Sequence, residues 1–439
     1  MASPFLDSVA EQAPAAQADL PGAQLGWLEK ARRQQLQAFL DEGLPGSRNE
    51  SWKYTSLRAF ARRTYRTGDA DAASRPVDRA SLDLPGVDGP RLVFVHGVFR
   101  PDLSDLDDCP DGLHVQPVSQ ALTEGDETLR PALSRDWQGP ADAFARLNTA
   151  LAGDGLLLRV ADGARIEPTL HLLHVGMPAD NDFAWHVRNS ITLGEGATLD
   201  LVEHHVGSAA HKHLGTLVSD VTLGRDSHLG WTTLQDAADG AQLMRRDYLR
   251  LEAGAAARVH ALELGGGLVR HELDADLLGD GARIETRGVF MPRGRQHFDT
   301  RLDIRHKAVN TQSDSLWRGV ADQRGRGVFH GAIVVEQGAD GADASLNNKN
   351  LLLSAHAEID TQPVLEIYAD EVLAAHGATV GQLDQAALFY LRSRGLPADQ
   401  ARSLLTAAFC QAALDSLPNA DLRQHISTQL AQRLPGQAG

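Results

Sequence analysis

Six segments of this chain share one design: an apolar run, a turn of small residues and a second apolar run. They are LRVADGARI from Leu158, ITLGEGATLDLVE from Ile191, VTLGRDSHLGWTTL from Val221, LRLEAGAAARVHALEL from Leu249, ADLLGDGARIETRGVF from Ala275 and LLLSAHAEIDTQPVL from Leu351. The apolar residues just before the turns are Val160, Leu193, Leu223, Leu251, Leu278 and Leu353, and the first four steps are 33, 30, 28 and 27 residues. The longer final gap has room for about two or three further coils of the same kind. A period of roughly 30 residues built from strands without helices predicts a solenoid, either a β-helix or stacked β-sheets. One coil cannot bury its own apolar face, so each must stack on the next. A large β-sandwich or barrel alternates in the same way and is the competing architecture.

The texture differs on either side of this region. Residues 1–155 read as a helical and mixed domain. Leu25, Leu28, Ala31, Leu36 and Phe39 recur near helical spacing, RLVFVHGVF (Arg91 to Phe99) is a strand, and Ala141 to Gly155 is a helix ending at glycine. Residues 156–375 carry the β repeat. Residues 376–439 read as a helical domain: one helix follows Gly381, a second starts near Pro397, and a third starts at Asn419 as its N-cap.

Charge and motifs narrow the function. There are 58 acidic and 42 basic residues, a net charge of −16. A nucleic-acid binder needs a basic surface, so none is expected as partner. No apolar run is long enough to span a bilayer, and MASPFLDSVAEQ lacks the basic start of a secretory signal, which predicts a cytoplasmic chain with no membrane partner. Cys109 and Cys410 lie far apart and form no paired motif, consistent with a reducing compartment. Two cysteines cannot by themselves hold an iron–sulfur cluster or a structural zinc. None of the five lysines follows a glycine, so a phosphate loop of the Gly-Lys-Ser/Thr kind is excluded. No GxSxG elbow is present, and the glycine run at Leu264 to Glu272 falls inside the β region, where dinucleotide binding is not expected.

Eighteen histidines are the remaining chemical resource. On a strand, His211 and His213 would share a face and could chelate a metal, although strand-face histidines in a His-rich chain are the commoner case. His186 and His271 read as packed or solvated strand residues. The stretch AAHGATVGQLDQAALFYLRSRG (Ala374 to Gly395) places one histidine, His376, just before a helical pattern. A metal ligand, a helix-start residue and a filler are all open for it. A second class of reading is enzymatic: Asp299, Asp303 and Asp314 would be the paired carboxylates of a β-helix carbohydrate-active enzyme. Such sites also use exposed aromatics, and aromatic residues are only 5% of the chain.

Four stretches resemble a known family. HGATVGQLDQAALFYLRSRGL resembles the C-terminal signature of the SufB/SufD family of the SUF iron–sulfur cluster assembly system, in the form of its SufD branch. NESWKYTSL (Asn49 to Leu57), RLVFVHGVF and FARLNTALAGDGLLLRV (Phe144 to Val160) are similar to three further motifs of the family. The resemblance implies a central right-handed parallel β-helix flanked by N-terminal and C-terminal helical domains. It implies a non-enzymatic scaffold that pairs with SufB and binds the ATPase SufC, with a homodimer open to the isolated chain. A transient cluster or iron would be shared with SufB, and the matching histidine here is His376. A neutral imidazole is a good iron ligand. Many relatives carry a cysteine two residues earlier, where this chain has Ala374. The resemblance also implies a SufC contact through Leu388, Phe389, Tyr390, Leu391, Arg392, Arg394 and Gly395. At helical spacing Phe389 and Leu391 cannot face one way, so one group is expected to be buried and the other exposed.

Overall fold

The computed structural model describes residues 3–67, 73–207 and 209–434. From Leu156 onward, successive strands alternate between two sheets. Leu156–Val160, Phe183–Leu193, Leu214–Leu223, Gln242–Leu251, Leu268–Leu277, His297–His306, Arg326–Val335 and Glu358–Ile367 stack side by side in one. Leu170–Gly176, Thr198–Gly207, His228–Asp236, Ala256–Glu263, Arg283–Phe290, Gln312–Ala321, Asp343–Leu352 and Leu373–Gly381 stack in the other. All of these pair in parallel. Each coil therefore gives one strand to each sheet, and the chain is mainly β, a solenoid of about 7 turns flanked by helices. Inward side chains of both sheets, from Leu158 to Ile359, form one continuous core.

The register corrects two positions of the repeat. Val160, Leu193, Leu223 and Leu251 align as expected, but the next rung is Leu277. Leu278 lies just past it and is exposed. Leu353 follows the strand Asp343–Leu352 of the other sheet, so it is not in this column. The column continues through His306 and Val335 to Ile367. His306 hides its rung from an apolar scan. Its ring is fully buried, with Nδ1 2.8 Å from Thr311 Oγ1 and Nε2 2.8 Å from Ser313 Oγ, so a polar residue sits in the core at no cost of an unmade hydrogen bond.

One corner of the first seven coils is built alike. Gly163, Gly196, Asp226, Gly254, Gly281, Asn310 and Gly341 all have positive φ. Each donates its backbone N–H to a carbonyl of the following coil: Glu195, Arg225, Ala253, Asp280, Val309, Asp340 and Glu371. Only Gly, Asn and Asp enter this left-handed region readily, which explains the residue types at the corner. The next residue is small and faces the core: Ala197, Ser227, Ala255, Ala282, Thr311 and Ala342 are all buried.

The two ends of the solenoid differ. At the N-terminal end, Leu113–Pro117 pairs antiparallel with Leu156–Val160, and Arg91–Val95 extends the other sheet and turns back as Val98–Phe99. At the C-terminal end, Glu358–Ile367 and Leu373–Gly381 have no further strand beside them among the described residues. The sheets thus reach outside the 156–375 span on both sides, and the strand Leu373–Gly381 crosses the boundary expected at 376. The N-terminal helices Pro4–Asp19 and Gly26–Glu42 pack with Ala143–Leu151. The helices Ala398–Gln411 and Ala420–Gln432, with the turn between them, lay Cys410, Leu414, Leu422, Ile426 and Leu430 on Val202, Leu234, Leu262 and Val289, the outer face of the second sheet. Asn419 caps the last helix, accepting the Leu422 N–H at 3.0 Å.

Candidate functional site

His376 sits in the terminal strand Leu373–Gly381, not at a helix start; Asp384 is the N-cap of the helix Gln385–Ser393, accepting the Ala386 N–H at 2.8 Å. In register, Ala374, His376, Ala378 and Val380 stand opposite Ala344, Leu346, Asn348 and Asn350. Those four partners are all buried and face the solenoid interior. His376 therefore occupies an inward-facing column position on a coil that no strand covers among the described residues, and it is exposed. The surrounding end is apolar: Leu373 is 71% exposed and Tyr368 62%, with Ile367 and Val380 also open. Bare edges of two parallel sheets with exposed apolar residues are a template for strand addition by another chain.

The helix Gln385–Ser393 buries none of its residues. It packs on Ala398–Gln411, with Leu388 and Leu391 half-buried. Phe389 is 75% exposed and Tyr390 56%. The Arg394 guanidinium lies 5.1 Å from the Tyr390 ring centre. Arg392 and Gly395 are exposed too, and Gly395 has φ 98°, which ends the helix. The expected division of the helix into a buried and an exposed group is a division into half-buried leucines and exposed aromatics.

The three carboxylates of the carbohydrate reading do not converge. Asp299 is buried under an ion pair with Arg270 and accepts from Thr55 Oγ1 at 2.5 Å. Asp303 pairs with Arg305 at 2.9 Å on the same sheet, whereas Asp314 lies on the other sheet with Arg287 and Ser345. His211 and His213 lie in a loop rather than a strand, with rings stacked at 4.6 Å. Both His213 nitrogens are engaged, Nδ1 by the Phe183 N–H at 3.2 Å and Nε2 by the Met177 carbonyl at 2.9 Å, which leaves no lone pair for a metal.

Two of the motif stretches are structural anchors. Trp52 is buried, donates Nε1 to the Ala141 carbonyl at 3.1 Å and lies under Arg270. Asn148 is fully buried and its Nδ2 donates to the Val187 and Thr216 carbonyls at 2.9 and 3.1 Å, tying the helix Ala143–Leu151 to two strands.

The apolar-repeat reading missed a charged network inside the solenoid. Glu203 accepts from Arg245 Nη2 at 2.9 Å and Trp231 Nε1 at 3.2 Å, and His205 Nε2 lies 3.0 Å from its other oxygen. Arg245 also pairs with Asp247. His271 bridges Asp247 at 3.1 Å and Glu263 at 3.0 Å. All of these side chains are buried. Burial pushes the Glu203 carboxyl up, but Arg245, His174 and His205 outweigh it and hold it well below the usual carboxylate range. Burial opposes charge on His271 as well, yet its two carboxylates raise its pKa. The signal in the sequence is the spacing of Glu203 with His205 and of Arg245 with Asp247, i and i+2 on inward positions of otherwise apolar strands.

Comparison with known proteins places this architecture. A family model described as SUF system FeS cluster assembly, SufBD core domain, matches residues 176–409, and one described as SufBD protein N-terminal region matches residues 15–172. The chain is 32% identical over 413 residues to the iron–sulfur cluster assembly protein SufD of Escherichia coli K12, covering 92% of this chain and 93% of that protein. It is 24% identical to SufD of Bacillus subtilis, covering 93% and 94%, and 23% identical to the chloroplastic protein ABCI7 of Arabidopsis thaliana, covering 96% and 89%. Among the described residues no helix is long and apolar enough to cross a membrane. With these two family models matching residues 15–172 and 176–409, the chain belongs to the SufBD family of iron–sulfur cluster assembly proteins.

Proposed function

We propose that this chain is a non-catalytic scaffold subunit of a cytoplasmic SUF complex, pairing with SufB and binding the SufC ATPase. The cluster is cargo: it is built at the SufB–SufD interface and passed to apo-proteins. The observation that carries this reading is the open last coil, where His376 stands in an inward column position on a strand whose outer edge has no partner among the described residues. A SufB strand added at this edge would bury the exposed Leu373 and Val380 and bring its own side chains beside His376. Imidazole there supplies one ligand to iron in transit, and SufB thiolates or carboxylates supply the rest. Ala374 offers no thiolate, so the site leans on SufB for sulfur. Phe389, Tyr390, Arg392 and Arg394 form the SufC contact, since exposed aromatics and arginines on a helix end are the usual anchors of an interface. On this reading residues 1–155 form the cap, the β region through the strand Leu373–Gly381 the pairing unit, and the helices that follow it the ATPase-binding unit.

The test is anaerobic co-expression with SufB and SufC, followed by iron and acid-labile sulfide assays on the purified complex. His376→Ala is expected to lower both while the complex stays intact. Unchanged contents in an intact complex would assign the cargo to SufB alone.

A further inference from the structure

His174, Glu203 and His205 converge inside the early coils of the solenoid, far along the chain from His376. Their strands explain the convergence. Glu203 and His205 are i and i+2 on Thr198–Gly207, so both face inward, and His174 stands opposite His205 in the parallel register of the adjacent strand. The two imidazoles stack with centroids 4.7 Å apart. Trp231 and Arg245 saturate Glu203 Oε2, which leaves Oε1 turned to the histidines. His205 Nε2 is 3.0 Å and His174 Nε2 3.4 Å from that oxygen.

We propose that these three side chains form a buried site for a divalent transition-metal ion. Their donor atoms all lie within 4.8 Å of one another. Bonds of about 2.0–2.1 Å to one ion set donor–donor edges of roughly 3.0–3.4 Å, the range of the two measured here. His174 is 4% exposed, and neither of its ring nitrogens makes a hydrogen bond, although Nε2 is in contact with Glu203. A buried imidazole held only by one long contact is costly unless something else uses its lone pair. Charge points the same way. Glu203 and Asp247 share the single guanidinium of Arg245, while His271 bridges Asp247 and a third carboxylate, Glu263. Even with His271 donating to both of its carboxylates, the buried set keeps an excess of negative charge, which a dication offsets. Two imidazoles and one carboxylate suit a borderline ion, so zinc and ferrous iron are the two sources. Arg245 and Trp231, holding Oε2, are the outer-shell groups that orient the ligand. The ion belongs to the fold rather than to the cargo, because Glu203 is fully buried.

The test uses the isolated full-length chain. Purified without chelator, wild type is expected to retain about one zinc or iron per chain through desalting. His174→Gln is expected to lose it, and His376→Ala to keep it. Metal-free protein, unfolded with chelator and refolded, is expected to show visible ligand-field absorption with Co²⁺ and a raised Tm. Refolding with zinc in air and with ferrous iron under argon separates the two sources. Wild type that carries no metal, and that refolds with Co²⁺ without absorption or a Tm shift, would overturn the proposal. So would metal content unchanged in a folded His174→Gln variant. Neither depends on partner binding at His376.

Discussion

The Arg270 guanidinium carbon lies over the Trp52 indole, 3.8 Å from the ring centre, while its Nη1 donates to the Ser51 carbonyl at 2.9 Å and pairs with Asp299. Thr55 completes the clamp on Asp299. The motif stretch Asn49 to Leu57 thus pins the N-terminal helical unit to the outer face of one sheet. Trp52→Ala removes the indole and its buried contacts. A loss of about 3–5 kcal/mol is expected, measured as a lower urea midpoint.

The corner ladder predicts unequal outcomes at neighbouring coils. Gly254→Ala puts a Cβ at φ 69° and against the Asp226 carboxylate, and should cost at least about 1–2 kcal/mol. Asp226→Gly relieves a φ of 55° at the equivalent position of the previous coil. It should stay within about 1 kcal/mol of wild type, the strain relieved being offset by backbone entropy. Denaturation of both variants checks the sign.

Acid should destabilise the solenoid through its buried histidines. Burial lowers His171 to about 2, His186 and His204 to about 3, and His306 to about 4. Unfolded histidine titrates near 6.5. Below that pH the unfolded chain binds protons that the folded chain refuses, so stability present above pH ~6.5 is lost as pH falls toward about 4. Each group contributes up to about 1.4 kcal/mol per pH unit. Tm measured at pH 7.5 and 5.5 should fall steeply, and less steeply in His306→Gln.

The two thiols should differ in reactivity. Burial pushes Cys410 up to about 12 and it is 1% exposed, between the C-terminal helices and the second sheet. Cys109 is half-buried, and burial raises it less far. Alkylation followed by mass spectrometry should label Cys109 in the native protein and Cys410 only after unfolding.

Phe389→Ala and Tyr390→Ala should leave Tm unchanged, since surface substitutions are generally within about 0.5 kcal/mol. Co-purification of the ATPase should fall. Retained co-purification would remove this helix from the contact.

Much of this fold was legible one residue at a time. The coils ending at Val160, Leu193, Leu223 and Leu251 announce themselves by apolar residues at a steady period, because stacking forces like on like. The small turn residues were visible as well, since a positive φ admits few side chains. The coil ending at His306 was not legible, because Thr311 and Ser313 turn a polar ring into core filler and they do so only when folded. Leu278 was misplaced by one because two adjacent leucines look alike in a sequence, while the sheet register buries only Leu277.

The sequence by itself determined the periodicity, the absence of a phosphate loop, the helical flanks and the histidine at 376, because each rests on local spacing or residue type. Tertiary structure alone decided which positions face inward. It set His376 at an open edge rather than at a helix start, drew Asp299 and Asp314 apart, and brought His174 to Glu203 and His205 across a strand pair. The physical reason is register: parallel pairing aligns residues roughly 30 apart, and one residue of slip reverses every side chain between core and solvent.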